Sequence, residues 1–254
     1  MRLERACAAT AGSAAKAAGA VAGAFAELLW PTRCVGCDEP GELLCAACRA
    51  ELPWVEQRLA CPVCGAPYGF LTCTECKGDW DVRATVAALG FEGAVGAAVR
   101  CLKDGHELRL APVMAAAMAG ALEEASAWTA ADGAPRFDAA ATDGICFVPA
   151  TAEAYARRGF DHMELVARAL CRLTGLPLAD VLVRPHARDQ RLLGKKDRAA
   201  NLAGTIRATE DLAGAHLLLI DDVATTGASL NEAARALLAR GARPPTAAVF
   251  ARVW

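Results

Sequence analysis

The chain has 254 residues and a formal net charge of −2 at pH 7, which argues against the strongly basic surface of a dedicated nucleic-acid-binding domain. Hydrophobic residues make up 55% of it and charged residues 22%, as in a folded protein long enough for one α/β domain and a smaller module. No stretch reaches the roughly 18 consecutive apolar residues of a membrane-spanning helix, so we expect a cytoplasmic protein.

Residues 1–30 have early arginines, many alanines and few acids, which gives them a faint likeness to a targeting peptide. Lys16 interrupts this stretch, and alanine is only weakly apolar. We therefore predict a partly disordered helical lead-in, which ends as a short amphipathic helix over residues 25–30.

Eight of the twelve cysteines form four Cys-x-x-Cys pairs: Cys34/Cys37, Cys45/Cys48, Cys61/Cys64 and Cys73/Cys76. This spacing places two thiolates on one tight turn, and two such turns complete a tetrahedral zinc site. Four pairs therefore predict two structural Zn²⁺ in a double zinc ribbon over residues 31–80. A redox role would need a thioredoxin-like strand–turn–helix, which this segment lacks. The other four cysteines are expected to be small buried apolar residues: Cys7, Cys101, Cys146 and Cys171.

The spacing leaves two pairings open within the zinc module. We prefer consecutive pairing, the first pair with the second and the third with the fourth; a cross-braced arrangement is the alternative. We expect the module's aromatic residues to form its small core, with a stacking surface for the bases of single-stranded DNA as the alternative. They are Trp54, Tyr68, Phe70 and Trp80.

From residue 81 to the end, strands and helices alternate, which predicts an α/β domain with a mostly parallel sheet flanked by helices. The predicted strands are 84–89, 145–148, 181–183, 204–206, 217–220 and 247–250. The predicted helices are 94–102, 108–124, 161–173 and one that starts at residue 229. Asp161 is the expected N-cap of the third helix and Gly175 closes it.

A long irregular segment between the strands at 181–183 and 204–206 is rich in basic residues: Arg184, Arg188, Arg191, Lys195, Lys196 and Arg198. Long segments of this kind in compact domains are often functional lids, and cations suit a pyrophosphate ligand. We predict a basic lid here; a solvated loop is the alternative.

The stretch 216–230, HLLLIDDVATTGASL, combines a buried apolar strand, two acids, a small-residue turn and a helix. Backbone N–H groups of such a turn can hold a phosphate, and the two carboxylates can accept hydrogen bonds from hydroxyls or bind Mg²⁺. The alternative is that Ser229 only caps the helix in a capping box with Glu232. That alternative does not explain two charges at the end of an apolar strand.

The run Asp221-Asp222-Val223-Ala224-Thr225-Thr226-Gly227-Ala228-Ser229 resembles the phosphoribosyl pyrophosphate (PRPP) signature of type I phosphoribosyltransferases, with Ser229 in place of the commoner Thr. The resemblance implies that the two acids contact the ribose hydroxyls and that the turn cradles the 5′-phosphate.

Further motifs extend this resemblance to the ComF family, in which a zinc ribbon precedes a phosphoribosyltransferase-like domain. They occur in the family's order: Val148-Pro149, Arg157-Arg158-Gly159-Phe160, and Arg184 to Asn201 ahead of the acidic run. The resemblance runs from about Trp30 to the end of the chain. This chain departs from the family at Asp161-His162, where Asn-Gln is usual.

The resemblance implies a Mg²⁺-dependent transfer of the phosphoribosyl group of PRPP to an acceptor that the sequence does not identify, in DNA uptake or nucleotide metabolism. It assigns the catalytic role to Asp221 and Asp222. The candidates for stabilising pyrophosphate are Lys103, Arg158, Arg188 and Arg198. The alternative is a non-catalytic protein that senses PRPP and binds single-stranded DNA or DNA-uptake proteins through its zinc ribbon.

Overall fold

The computed structural model describes residues 31–76, 80–184 and 205–254. The predicted lead-in over residues 1–30, and the basic segment with Arg188 and Arg198, lie outside the described residues. The chain forms two compact units, Met1–Ala50 and Glu51–Trp254. This division differs from the expected boundary at residue 81, because the second pair of zinc knuckles packs within the larger unit, where Cys61 and Cys64 are buried.

The larger unit is built on a four-stranded parallel sheet, in the order β1-β6-β5-β2. Its strands are β1 (Ala84–Gly90), β2 (Gly144–Phe147), β5 (Leu217–Ala224) and β6 (Thr246–Arg252). Every residue of β1 and β6 is buried, as expected where both faces of a parallel sheet are covered. This confirms the predicted fold class.

A short antiparallel pair stands apart from this sheet. It consists of β3 (Leu182–Val183) and β4 (Arg207–Ala208). The strand expected at 204–206 was therefore misplaced, since pairing with β3 begins only at Arg207. The strand expected at 217–220 is longer than predicted, because β5 continues through both acidic residues to Ala224 and stays paired with β6.

The helices of the described residues are α1 (Ala46–Ala50), α2 (Gly93–Lys103), α3 (Leu110–Ala125), α4 (Ala152–Arg158), α5 (His162–Thr174) and α6 (Ala228–Leu238). The helices predicted from residue 81 onward are all present, with ends shifted by one or two residues. None of them is long and apolar enough to cross a membrane. Helix α4 was not predicted; the hydroxyl of Thr151 caps its first turn and Gly159 ends it in the left-handed conformation.

The start of α5 confirms the predicted cap and fixes a corner of the domain. Asp161 Oδ1 accepts hydrogen bonds from the N–H groups of Met163 and Glu164, and Gly175 closes the helix at φ +77°. The other carboxylate oxygen of Asp161 accepts a hydrogen bond from Ala150 N, at 2.7 Å. One side chain therefore ties the loop after β2 to the start of α5.

The start of α6 differs from the capping box considered above. The N-cap is Gly227, in the left-handed conformation at φ +77°, and Ser229 lies inside the first turn. The carboxylate of Glu232 instead accepts hydrogen bonds from the backbone and hydroxyl of Thr205. The capping-box interpretation was therefore wrong, because Gly227 and not Ser229 is the N-cap of α6.

Candidate functional site

Two adjacent acids lie at the carboxyl end of β5, the position where open α/β sheets bind ligands. Asp221 and Asp222 are both buried. Asp222 Oδ2 pairs with the ammonium group of Lys103 at the end of α2 and lies 3.1 Å from Nε2 of His162 at the start of α5. Three separate elements therefore meet at one carboxylate oxygen.

The hydrogen bonds around His162 assign its proton. A guanidinium nitrogen of Arg158 lies 3.4 Å from Nδ1 of His162, and because a guanidinium can only donate, Nδ1 is the acceptor. The Nε2–H group then donates to Asp222. Arg158 also pairs with Asp104 through its Nε, at 3.3 Å. The result is a chain of polar contacts from Asp104 through Arg158 and His162 to Asp222.

The two acids have opposite electrostatic environments. Burial and the neighbouring charge of Asp222 raise the pKa of Asp221 well above its ordinary value. Burial acts in the same direction on Asp222, but the hydrogen bond from His162 and the charge of Lys103 prevail and lower its pKa. Asp222 is therefore the acid that keeps its negative charge, and Asp221 is the one that holds a proton more readily.

The residues that follow β5 form a turn, which we call the phosphate turn (residues 225–229). Thr225 and Thr226 are exposed, while Gly227 is buried at the N-terminus of α6. The Thr226 hydroxyl accepts a hydrogen bond from Ala228 N, at 3.4 Å. The first N–H groups of a helix have no partner within it, so this turn can present donors to an anion.

The structure brings part of the predicted set together. Lys103 contacts Asp222 directly and Arg158 reaches it only through His162, while Val223 and Ala224 complete β5 between the acids and the turn. The charge of Arg184 acts on Asp221 as well, and it partly opposes the rise in the pKa of that acid. A pocket of about 380 Å³ extends beside the site and is lined by Pro149, Asp161 and Arg184, among others.

The eight paired cysteines form two separate clusters, which confirms the consecutive pairing. Within each cluster all four sulfur atoms lie within 4.8 Å of one another. Tetrahedral coordination at a Zn–S distance of about 2.3 Å needs sulfurs about 3.8 Å apart, so both clusters fit a structural zinc ion. In the second cluster, the hydrogen bond from Cys64 lowers the pKa of Cys61 to about 4, and the same contact raises the pKa of Cys64.

Three of the four aromatic residues of the zinc module lie outside its core, contrary to our expectation, and only Trp80 packs against it. Tyr68 is 79% exposed, Trp54 51% and Phe70 49%, while Trp80 is half-buried. The second cluster instead buries two of its own cysteines, Cys61 and Cys64, together with Ala66. Because the sulfur ligands take the place of a hydrophobic core, the rings are free to remain at the surface.

Sequence reasoning missed three residues near the site. His162 was noted only as a departure from the family's usual Gln, yet it donates to Asp222. Trp80 packs against Gly227 of the phosphate turn, and Arg252 donates to the carbonyl groups of Ala224 and Thr225. These contacts join residues far apart in the chain, so no local pattern indicates them.

Comparison with known proteins agrees with this arrangement. A double zinc ribbon domain matches residues 25–79, and a phosphoribosyl transferase domain matches residues 154–252. Competence protein ComFC of Bacillus subtilis is 26% identical over 207 residues, which are 80% of this chain and 81% of that protein. The chain therefore combines a double zinc ribbon with a phosphoribosyl transferase domain, and it is similar to a ComF competence protein over most of the length of both proteins.

Other relatives carry a different name. DNA utilization protein YhgH of Salmonella typhi is 28% identical over 207 residues, covering 78% of this chain and 86% of that protein. The protein of the same name in Escherichia coli K12 is 26% identical over 189 residues, covering 72% and 79%. Both matches span most of each relative.

Proposed function

We propose that the protein binds PRPP at the carboxyl end of the sheet and transfers its phosphoribosyl group to an acceptor. One observation carries the proposal: the end of β5 joins two buried acids directly to the phosphate turn. In this arrangement the 5′-phosphate lies on the N–H groups and hydroxyls of residues 225–229. The ribose hydroxyls donate hydrogen bonds to Asp221 and Asp222.

The cations beside Asp222 have two roles in the proposal. In the free protein Lys103 neutralises Asp222, and this contact keeps a buried carboxylate charged. When ribose hydroxyls take over Asp222, Lys103 is released toward the pyrophosphate. His162 keeps its hydrogen bond and fixes the orientation of the carboxylate.

The transfer breaks the bond between C1 of the ribose and the pyrophosphate oxygen, and the electron pair leaves with pyrophosphate. A nucleophilic atom of the acceptor supplies the electron pair for the new bond to C1. Positive charge develops on the ribose ring, where Asp222 stabilises it, and negative charge develops on the leaving group, where Lys103 and Arg158 stabilise it. Mg²⁺ carried by PRPP would neutralise the pyrophosphate further.

Acceptor-dependent release of pyrophosphate tests the catalytic part of the proposal. We expect one class among a panel of nitrogen-containing acceptors to release pyrophosphate from PRPP in the presence of Mg²⁺. Lys103→Met should lower the rate by about 100-fold, since it removes a cation placed for the leaving group. Lys16→Met, far along the chain from the site residues, serves as the control. A rate equal to that without protein for every acceptor would contradict catalysis.

A second function is favoured by two exposed aromatic residues that lie between the cysteines of the second cluster, in residues 61–76. Tyr68 and Phe70 lie close together in the sequence and are both exposed, so bases of single-stranded DNA could stack on them. The names of the relatives, which refer to DNA utilization and competence, also favour a function that involves DNA. The two functions are compatible, because the aromatic rings and the acids belong to different elements.

Salt-dependent binding of a fluorescent oligonucleotide tests this second function. We expect Tyr68→Ala combined with Phe70→Ala to weaken binding by at least tenfold, as stacking contributes about 1–3 kcal/mol per base. Tyr155→Ala, which removes an exposed ring from α4, is the matched control. Equal binding by all three proteins, or no binding by the wild type at low salt, would exclude Tyr68 and Phe70 as the binding surface for single-stranded DNA.

A further inference from the structure

Arg252 links the second cysteine cluster to the phosphate turn through one buried guanidinium. It is the last residue of β6 and only 2% exposed. Its Nε donates to the carbonyl oxygen of Cys64, at 3.0 Å. Its Nη1 donates to the carbonyl oxygens of Ala224 and Thr225, at 3.2 and 2.6 Å, and also contacts that of Val253. A single side chain therefore holds a cluster residue and the first residue of the turn at a fixed separation.

Trp80 makes a second connection between the same two regions. Its ring packs against the buried residues of the second cluster and also against the core beneath β5. At the middle of the phosphate turn, a Cβ added to Gly227 would overlap this ring. Asp81, the residue after Trp80, also contacts α6, because its N–H group donates to the side chain of Asn231, at 3.0 Å. The turn is thus held from the cluster side at its first residue and at its central glycine.

The electrostatics favour the same connection. A guanidinium buried among backbone carbonyls loses its hydration, and this loss must be compensated by hydrogen bonds and nearby negative charge. A zinc ion bound by four thiolates has a net charge of about −2, which supplies such compensation near Cys64. Arginine also suits the position because its rigid fork donates in several directions at once, which a lysine ammonium on a flexible chain cannot reproduce.

We propose that Arg252 is a positioning residue that makes the conformation of the phosphate turn depend on the second cysteine cluster. The zinc knuckle of residues 61–76 then acts as part of the ligand site's support, in addition to stabilising its own fold. The consequence for ligand affinity rests on the proposed PRPP site, whereas the consequence for the turn's conformation does not.

The chain provides a matched control in Arg136. This arginine is also fully buried and also donates to backbone carbonyls near the second cluster, those of Gln57 and Ala60. Its third acceptor is the carbonyl of Thr129, so its hydrogen bonds do not reach the phosphate turn. Arg136→Lys therefore reproduces the loss of a buried arginine fork without the loss of the link.

Hydrogen exchange of the full-length, zinc-loaded protein without ligand tests the conformational part. We expect Arg252→Lys to speed exchange of the amides at residues 224–229 by at least about tenfold relative to those at 218–220 in the same strand, and Arg136→Lys to leave this ratio unchanged. Cys73→Ser, which removes zinc from the second cluster, should speed exchange at residues 224–229 to the same extent as Arg252→Lys does. Added to Arg252→Lys, it should speed exchange at these residues little further. Because Arg252→Lys keeps all eight ligands, its result stands even where Cys73→Ser fails to fold.

Affinity for PRPP and Mg²⁺, measured by calorimetry on the same proteins, tests the functional part. Arg252→Lys should bind about tenfold more weakly than wild type, and Arg136→Lys within about threefold of it. Unchanged exchange at 224–229 in Arg252→Lys, or an equal increase in Arg136→Lys, would overturn the proposal. Wild-type protein that binds no PRPP would refute the proposed function, and the exchange ratio would still decide the role of Arg252.

Discussion

The Nε2–H group of His162 donates to Oδ2 of Asp222 across 3.1 Å, from the first residue of α5 to the end of β5. Lys103 pairs with the same oxygen, so Asp222 stays charged although it is buried. The contact gives a structural meaning to a position where this chain departs from the usual family pattern. Its value can be measured by substitution.

Replacing His162 should weaken PRPP binding according to whether the new residue can still donate. We expect His162→Ala to reduce the affinity by about tenfold, the value of one hydrogen bond to a charged group. His162→Gln, which restores the family's usual residue and keeps a side-chain N–H, should remain within about threefold of wild type. Calorimetry with PRPP and Mg²⁺ measures both, and equal weakening by Ala and Gln would refute the hydrogen-bond role.

Asp221→Asn should make the protein more stable at neutral pH while it weakens ligand binding. The raised pKa of Asp221 means that the folded state binds its proton more tightly than the unfolded state does, so this group lowers the stability as the pH rises above its ordinary value of 3.8. The Asn variant avoids that loss. Its advantage in the free energy of unfolding should be small near pH 4 and grow by about 1 kcal/mol or more toward neutral pH.

Urea denaturation at a series of pH values measures this difference. Asp138→Asn, which changes an exposed aspartate outside the site, controls for the altered net charge. An advantage that shrinks as the pH rises would contradict the assigned direction of the Asp221 pKa. A functional acid that costs stability is the expected compromise at a ligand site.

Gly227→Ala should be more harmful than an ordinary substitution of a left-handed glycine. Gly227 and Gly214 have nearly the same φ, +77° and +76°, but a Cβ would overlap the Trp80 ring at Gly227 and meet nothing within 4 Å at Gly214. We expect Gly214→Ala to cost about 1 kcal/mol from backbone strain alone, and Gly227→Ala about 2–4 kcal/mol. Denaturant titration provides the values; equal costs would show that Trp80 yields freely.

Elemental analysis of the purified protein should find two zinc ions per chain. Cys45→Ser and Cys73→Ser should each leave one, because each removes a ligand from a different cluster. Cys171→Ser, which alters a cysteine outside both clusters, should leave two. Loss of both ions from either single ligand variant would contradict two separate four-cysteine sites.

The sequence predicted those elements that have strong local signals. The apolar strand before Asp221 and the cap of α5 by Asp161 both follow from short-range chemistry, and both are present. Helix α4 was missed although Thr151 and Gly159 flank it, because a helix of seven residues has too few turns for a clear apolar period.

The support of the candidate site could not be predicted in the same way. Ser229 and Glu232 have the spacing of a capping box, but the N-cap of α6 is Gly227, and Glu232 accepts hydrogen bonds from Thr205 instead. Three of the four carbonyl partners of Arg252 lie 27, 28 and 188 residues away in the chain. Such contacts depend on the order of strands in the sheet, which spacing alone does not determine.

Calorimetric titration of the zinc-loaded protein with PRPP and Mg²⁺ tests directly whether PRPP binds at the carboxyl end of β5. We expect saturable binding of one PRPP per chain, which is lost in the double variant Asp221→Ala, Asp222→Ala and retained in Asp138→Asn. The double variant should remain folded with two zinc ions, so that the loss reports on the site. Binding of equal affinity by the double variant, or no binding by the wild type, would contradict the account.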